Sequence, residues 1–157
     1  MQTNPVKPKP RRLVGIDYGM SRIGIALSDE MQIIASPYQT IQAEKKAEFT
    51  AAKVADFLMK VQESHNCEIE EIIVGMPLMM SGRKGFLADE VNHFTHLLSQ
   101  SITIPIRTWD ERLSTVQAER ALRETNLTRK KRSKVVDVMS ASIILQSYLD
   151  YKTHLTR

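Results

Sequence analysis

From Leu13 onward the chain alternates between two apolar rhythms. Short runs rich in β-branched residues, Leu13–Gly19, Arg22–Ser28 and Met31–Ala35, are separated by turn-forming residues and predict three strands in an antiparallel meander. The period then lengthens. Ala47, Ala51, Val54, Leu58 and Val61 recur at helical spacing and predict a helix over residues 44–64 with one buried face. Ile69–Gly75 returns to strand, Leu87, Val91, Phe94 and Leu98 to helix, and Ile104–Thr108, opened by Pro105, to strand. Ser114 followed by Gln117 is a capping-box pattern, so a further helix is expected over residues 114–125, and a last one over 134–152. The fourth and fifth strands are joined by helical crossovers and should be parallel. The predicted class is α/β: a mixed five-stranded sheet with helices on both faces.

The opening stretch, MQTNPVKPKPRR, combines prolines with cations and has no apolar period. Residues 1–11 are therefore expected to form a flexible basic arm, 12–152 a single domain and 153–157 a C-terminal tail. A length of 157 residues with 42% hydrophobic content is enough for one core of its own. A single cysteine, Cys67, excludes an internal disulfide. Neither a signal-peptide pattern nor a bilayer-length apolar run is visible, so the expectation is a cytoplasmic protein with no membrane partner. The net charge of +4 allows a polyanionic partner. Five cations, Arg129, Lys130, Lys131, Arg132 and Lys134, crowd into six positions that read as a solvated loop.

Chemistry concentrates in carboxylates. Asp17 interrupts the first apolar run, and strand alternation puts it on the face of Leu13, Gly15 and Gly19, opposite Val14, Ile16 and Tyr18. A carboxylate in such a place is costly unless it is paired or holds a cation, and the flanking glycines are expected to leave room for a metal or phosphate. Asp137 shares a helical stripe with Ala141, Ile144 and Tyr148 near the start of the last helix. The small residues Ser140, Ala141 and Ser142 would let that helix approach the sheet. In WDERLST, Asp110 and Glu111 are consecutive, so only one of them faces any given side. Carboxylates from the first strand, the end of the fifth strand and the last helix form an oxygen set suited to Mg²⁺ or Mn²⁺. His93 and His96 read as solvent-facing polar residues rather than zinc ligands, and Tyr18, Trp109 and Met76 as packing residues. Arg22, Arg83, Lys84 and the run from Arg129 to Lys134 are the candidate phosphate contacts.

Three passages, GIDYGMSRIGIALSD, IIVGMPLMMSG and WDERLSTVQAERAL, followed by VVDVMSASIILQSYLD, resemble the YqgF family of Holliday-junction-resolvase-like proteins from Arg12 to Tyr151. The resemblance implies a ribonuclease H-like fold and a nuclease that matures the 5′ end of the 16S ribosomal RNA precursor, with that RNA or a ribosomal particle as partner. It also implies that Asp17, Glu111 and Asp137 are the catalytic, metal-holding carboxylates, with Asp110 and Arg112 supporting them. The chain departs from the family's G-L-P-L-N-M-D-G in reading GMPLMMSG, with Met79 at the asparagine position and Ser81 at the aspartate position. The alternatives are a resolvase of DNA junctions and a non-catalytic RNA- or ribosome-binding module. An ATPase of the actin or sugar-kinase type, also suggested by GIDYGMSRIGIAL, needs a cleft between two such domains, and this length supplies one.

Overall fold

The computed structural model describes residues 3–78, 81–82, 85–113 and 129–155, without the side chains of 113 and 129–138. Five strands, β1 (Arg11–Tyr18), β2 (Arg22–Ser28), β3 (Ala35–Gln42), β4 (Glu68–Met76) and β5 (Ile106–Asp110), form one sheet in the order β3-β2-β1-β4-β5. Strands β1, β4 and β5 run parallel, and β2 and β3 are antiparallel to their neighbours. Central strand β1 is covered on both faces, which explains its unbroken buried run Leu13–Ile16.

Helices α1 (Ala47–Ser64) and α2 (Phe86–Ser101) lie on one face. There Val14, Ile16 and Tyr18 meet Val54, Leu58, Val91 and Phe94 in the larger of two cores. Helix α3 (Arg129–Leu155) covers the other face, where Leu13, Ala26 and Ile73 pack on Ala141, Ile144, Leu145, Tyr148 and Leu149. Each fully buried Val, Leu, Ile or Phe among them contributes about 1.5–3 kcal/mol on leaving water.

Two expectations fail. Met31–Ala35 is mostly a turn, and the third strand begins where that run ends, at Ala35. The Asp29 carboxylate accepts the backbone N–H groups of Ile33 (2.7 Å) and Ile34 (2.9 Å), Gln32 adopts φ of 56°, and Met31, Ile33 and Ile34 stay exposed. A local carboxylate thus satisfies donors that a strand would have paired. The true β3 is mostly polar because it is an edge strand, with Pro37 beside a register shift in its pairing with β2. The basic run, expected as a loop, is instead the first turns of α3. Lysine and arginine are good helix formers, and nothing from Arg129 to Lys134 breaks a helix. At its other end α3 continues through Leu155, with the Thr153 hydroxyl donating to the Leu149 carbonyl at 2.9 Å. The helix expected over residues 114–125 lies outside the described residues.

Candidate active site

Parallel strands β1, β4 and β5 end on the same side of the sheet, an edge that commonly carries ligand sites in α/β folds. Asp17 is the penultimate residue of β1, on the face that α3 covers. The β1–β4 register pairs Ile16 with Val74, so the next position, Asp17, lies beside Gly75. On the far side Gly75 pairs with Trp109 and Met76 with Asp110, after which a single 3₁₀ turn, Glu111–Leu113, turns the chain.

Gly75 creates the space that joins these segments. A methyl group at Gly75 would meet the Glu111 carboxylate oxygen Oε1, would lie 2.8 Å from Glu111 Cγ and 2.5 Å from Ile144 Cδ1. The Glu111 side chain thus folds back across Gly75 and forms a hydrogen bond with Asp17. Burial, then the charge and hydrogen bond of Asp17, push the Glu111 carboxyl up to about 8. Two carboxyl groups this close share a proton or a cation rather than both standing ionised alone.

The other member of the consecutive pair is engaged differently. Arg112 donates to both Asp110 oxygens, from Nε at 3.0 and 2.9 Å and from Nη2 at 2.6 Å, and its backbone N–H adds a 3.0 Å bond. The side-chain bond from Arg112 holds the Asp110 carboxyl below its ordinary range. Arg112 Nη1 also comes within 3.5 Å of where a Gly82 side chain would begin. Asp110 and Arg112 therefore brace the end of β5 with Arg112 close to Gly82, while the Glu111 side chain turns towards Asp17.

The glycines flanking Asp17 have another purpose than the one expected. At Gly15 a methyl group would lie 2.7 Å from both the Ala141 carbonyl oxygen and Leu145 Cβ, so helix α3 occupies the space expected for a metal or phosphate. At Gly19 it would lie 2.5 Å from the Arg22 carbonyl oxygen, the acceptor of the Gly19 N–H that closes the hairpin. The Ala141 contact seats α3 directly on β1, and Asp137 lies four residues earlier on that helix. Farther along, Gln146 bonds Ala35 and Ile33, and Lys152 bonds Gln32, whose own side chain reaches the Arg11 carbonyl. The helix thus runs away from the Asp17 end of the sheet, and its earlier residues head towards it.

Arg22 opens β2 at the same end of the sheet. The backbone of Arg129, Lys130, Lys131, Arg132 and Lys134 forms the first turns of α3, and Arg83 and Lys84 lie outside the described residues, as does Met79. Tyr18 is buried on the opposite face, stacked on Phe94 with ring centroids 4.6 Å apart. Trp109 donates from Nε1 to the Ser147 hydroxyl (3.1 Å) and packs on Tyr148 and Tyr151. His93 and His96 face solvent on α2. Among the described residues no three metal-ligating side chains converge, and Asp17 with Glu111 is the pair of hard oxygen donors at this edge. Sequence reasoning missed Gly75, although its glycine inside the β-branched run IIVGM was the available signal.

Residues 11–151 match the family model described as RuvX, Holliday junction resolvase. The chain belongs to the RuvX family. A RuvX relative from Protochlamydia amoebophila (strain UWE25) is 67% identical over 144 residues, covering 92% of this chain and 96% of that one. Another from Halothermothrix orenii is 43% identical over 144 residues, covering 92% and 98%. Both carry the name "Putative pre-16S rRNA nuclease". Among solved structures, Thermus thermophilus RuvC in complex with a Holliday junction substrate superposes with a TM-score of 0.53 at 13% identity, covering 85% of this chain and 91% of that one. That likeness gives the RuvX chain a resolvase-type, ribonuclease H-like fold.

Proposed function

We propose that this RuvX-family protein is a metal-dependent nuclease that hydrolyses phosphodiester bonds, and that the 16S ribosomal RNA precursor, free or in a ribosomal particle, is its substrate. The observation that carries the reading is the Asp17–Glu111 pair, two carboxyl groups pressed together at the carboxyl end of the parallel strands. Hard oxygen donors held in mutual repulsion fit Mg²⁺ or Mn²⁺. Asp17, Glu111 and Asp137 would hold such an ion. When bound, it would polarise the phosphate and lower the pKa of the attacking water.

The protein's own groups do the rest. Gly75 keeps the slot open for Glu111. The Asp110–Arg112 clamp fixes the turn from which Glu111 projects. In this reading Arg22, Arg83, Lys84, Arg129, Lys130, Lys131, Arg132 and Lys134 neutralise phosphates and set position without reading sequence. The names of the RuvX relatives support the RNA substrate, and a cytoplasmic location goes with it. No helix among the described residues is long and apolar enough to cross a membrane.

The test is cleavage of a 5′-extended 16S precursor RNA and of a four-way DNA junction in Mg²⁺, Mn²⁺ or chelator, by the protein and its Asp17→Asn variant. Metal-dependent cutting of the RNA by the unaltered protein alone is expected. Cutting confined to the junction would overturn the substrate, and binding of RNA without cutting would replace the nuclease by a binding module.

A further inference from the structure

We infer that the N-terminal arm is a second contact for nucleic acid, placed at the end of the domain opposite the carboxylates and acting on long substrates only. This inference rests on the nucleic-acid reading above. Residues 3–9 are exposed and lie outside the helices and strands, and the family match begins only at residue 11. The arm therefore lies before the residues that match the family model and outside both buried cores. Its root is fixed: the Pro10 carbonyl accepts the Glu68 N–H at 2.9 Å, where β1 and β4 begin. Asp17 is six positions further along β1, about 20 Å away at ordinary strand rise.

The charges at the root are already matched. Arg11 lies 3.9 Å from Glu68 and Arg12 lies 3.6 Å from Glu30. Lys7 and Lys9, beyond the root, make no hydrogen bond or ion pair among the described residues. They are cations that no carboxylate contacts, at an end where the Asp29 and Glu70 carboxylates in turn bond to amide groups rather than to cations. Pro5, Pro8 and Pro10 fix their own φ and bias the residues before them towards extended backbone. The three prolines stiffen an arm that its composition alone marks as flexible, and at a rise of about 3.1 Å per residue Lys7 can reach up to about 10 Å beyond the root and so up to about 30 Å from Asp17. Stiffness also reduces the entropy lost on binding. The geometry suits a sequence-independent phosphate clamp, felt only by substrates that reach from the site to the arm. With duplex charge spaced at about 3.4 Å per strand, that reach is about nine base pairs.

The test compares the full chain with Lys7→Gln/Lys9→Gln and with a chain lacking residues 2–10, on RNA duplexes that extend either four or twenty base pairs beyond the cleavage point. Two phosphate contacts on duplex contribute a slope near 1.8 in log affinity against log salt. Between 50 and 200 mM salt, the unaltered protein should therefore lose about twelvefold more affinity for the long duplex than the variants do. Its KM advantage should vanish on the short duplex, with kcat equal throughout. Equal salt slopes, or a loss of the same size on the short duplex, would overturn the inference. So would unchanged RNA binding together with lost binding to phosphatidylserine vesicles. If the unaltered protein neither binds nor cuts any RNA, the nuclease reading fails with it, whereas cutting that is indifferent to the arm overturns the arm alone.

Discussion

One absent side chain decides whether the two carboxylates meet. Gly75→Ala puts a methyl group onto Glu111 and against Ile144. Overpacking of this kind costs about 1–3 kcal/mol, but the effect on cleavage should exceed the loss of stability because Glu111 is displaced from Asp17. Denaturant melts alongside single-turnover rates separate the two. Glu111 also sets a pH dependence. Burial and Asp17 raise its carboxyl from 4.5 to about 8, so between those values the metal-free folded state binds more protons than the unfolded one. Stability should therefore fall as pH rises through that window and level off above it, and Glu111→Gln should flatten the slope. Melting temperature against pH in chelator is the measurement. Of these residues, alternation left Glu111 undecided against Asp110 and only the family resemblance picked it, whereas Asp17 stood out in the sequence because a carboxylate is out of place in an apolar strand. Gly75 did not, since a strand glycine is read as easily as a bulge or a weak spot as a slot for another side chain.

At the scale of elements, the strands that pair in the core and the helices with one apolar stripe were legible because burial writes a period into them. Strand β3 was not. As an edge it needs few apolar residues, and the exposed Met31, Ile33 and Ile34 before it imitate a strand while Asp29 holds their backbone in a turn. The start of α3 was misread because charge density was taken for a loop. This helix is fastened to β5 by Trp109, whose ring packs on Tyr148 and Tyr151. Tyr148 is in turn bonded to Glu71 at 2.8 Å, and burial followed by that bond pushes its hydroxyl up to about 12. Trp109→Phe should keep the ring contacts, lose the bond to Ser147 and cost about 1 kcal/mol with activity retained. Trp109→Ala should cost about 3 kcal/mol and lower cleavage as well, because α3 carries Asp137. Thermal denaturation and turnover at 25 °C check both.

For the whole molecule, one sheet brings together residues from the beginning, middle and end of the chain, so a functional site requires the complete fold. On the reading proposed above, Asp17 from the first strand, Glu111 from the turn after the fifth and Asp137 from the last helix would hold the ion. Ligand linkage adds about 2.7 kcal/mol at one hundred times Kd, so Mg²⁺ should raise the melting temperature of the protein and leave that of Asp17→Asn unchanged in scanning calorimetry. A mixed sheet with helices on both faces was readable from the order of strands and helices, and its resolvase-type character from the family resemblance. That Asp17, Gly75 and Glu111 meet at one edge was not, because it depends on the register in which β1, β4 and β5 pair.

The hydrogen bond between Asp17 and Glu111 has a consequence for how the protein exchanges with its surroundings. Without a cation the raised Glu111 carboxyl lets the pair hold a proton near neutrality, and on the reading proposed above a bound cation would take that proton's place. Loading such a site would then be a swap, each entering ion driving a proton into the medium. The apparent affinity for metal should climb with pH up to about 8, and the protein would be primed less readily wherever the surroundings turn acidic.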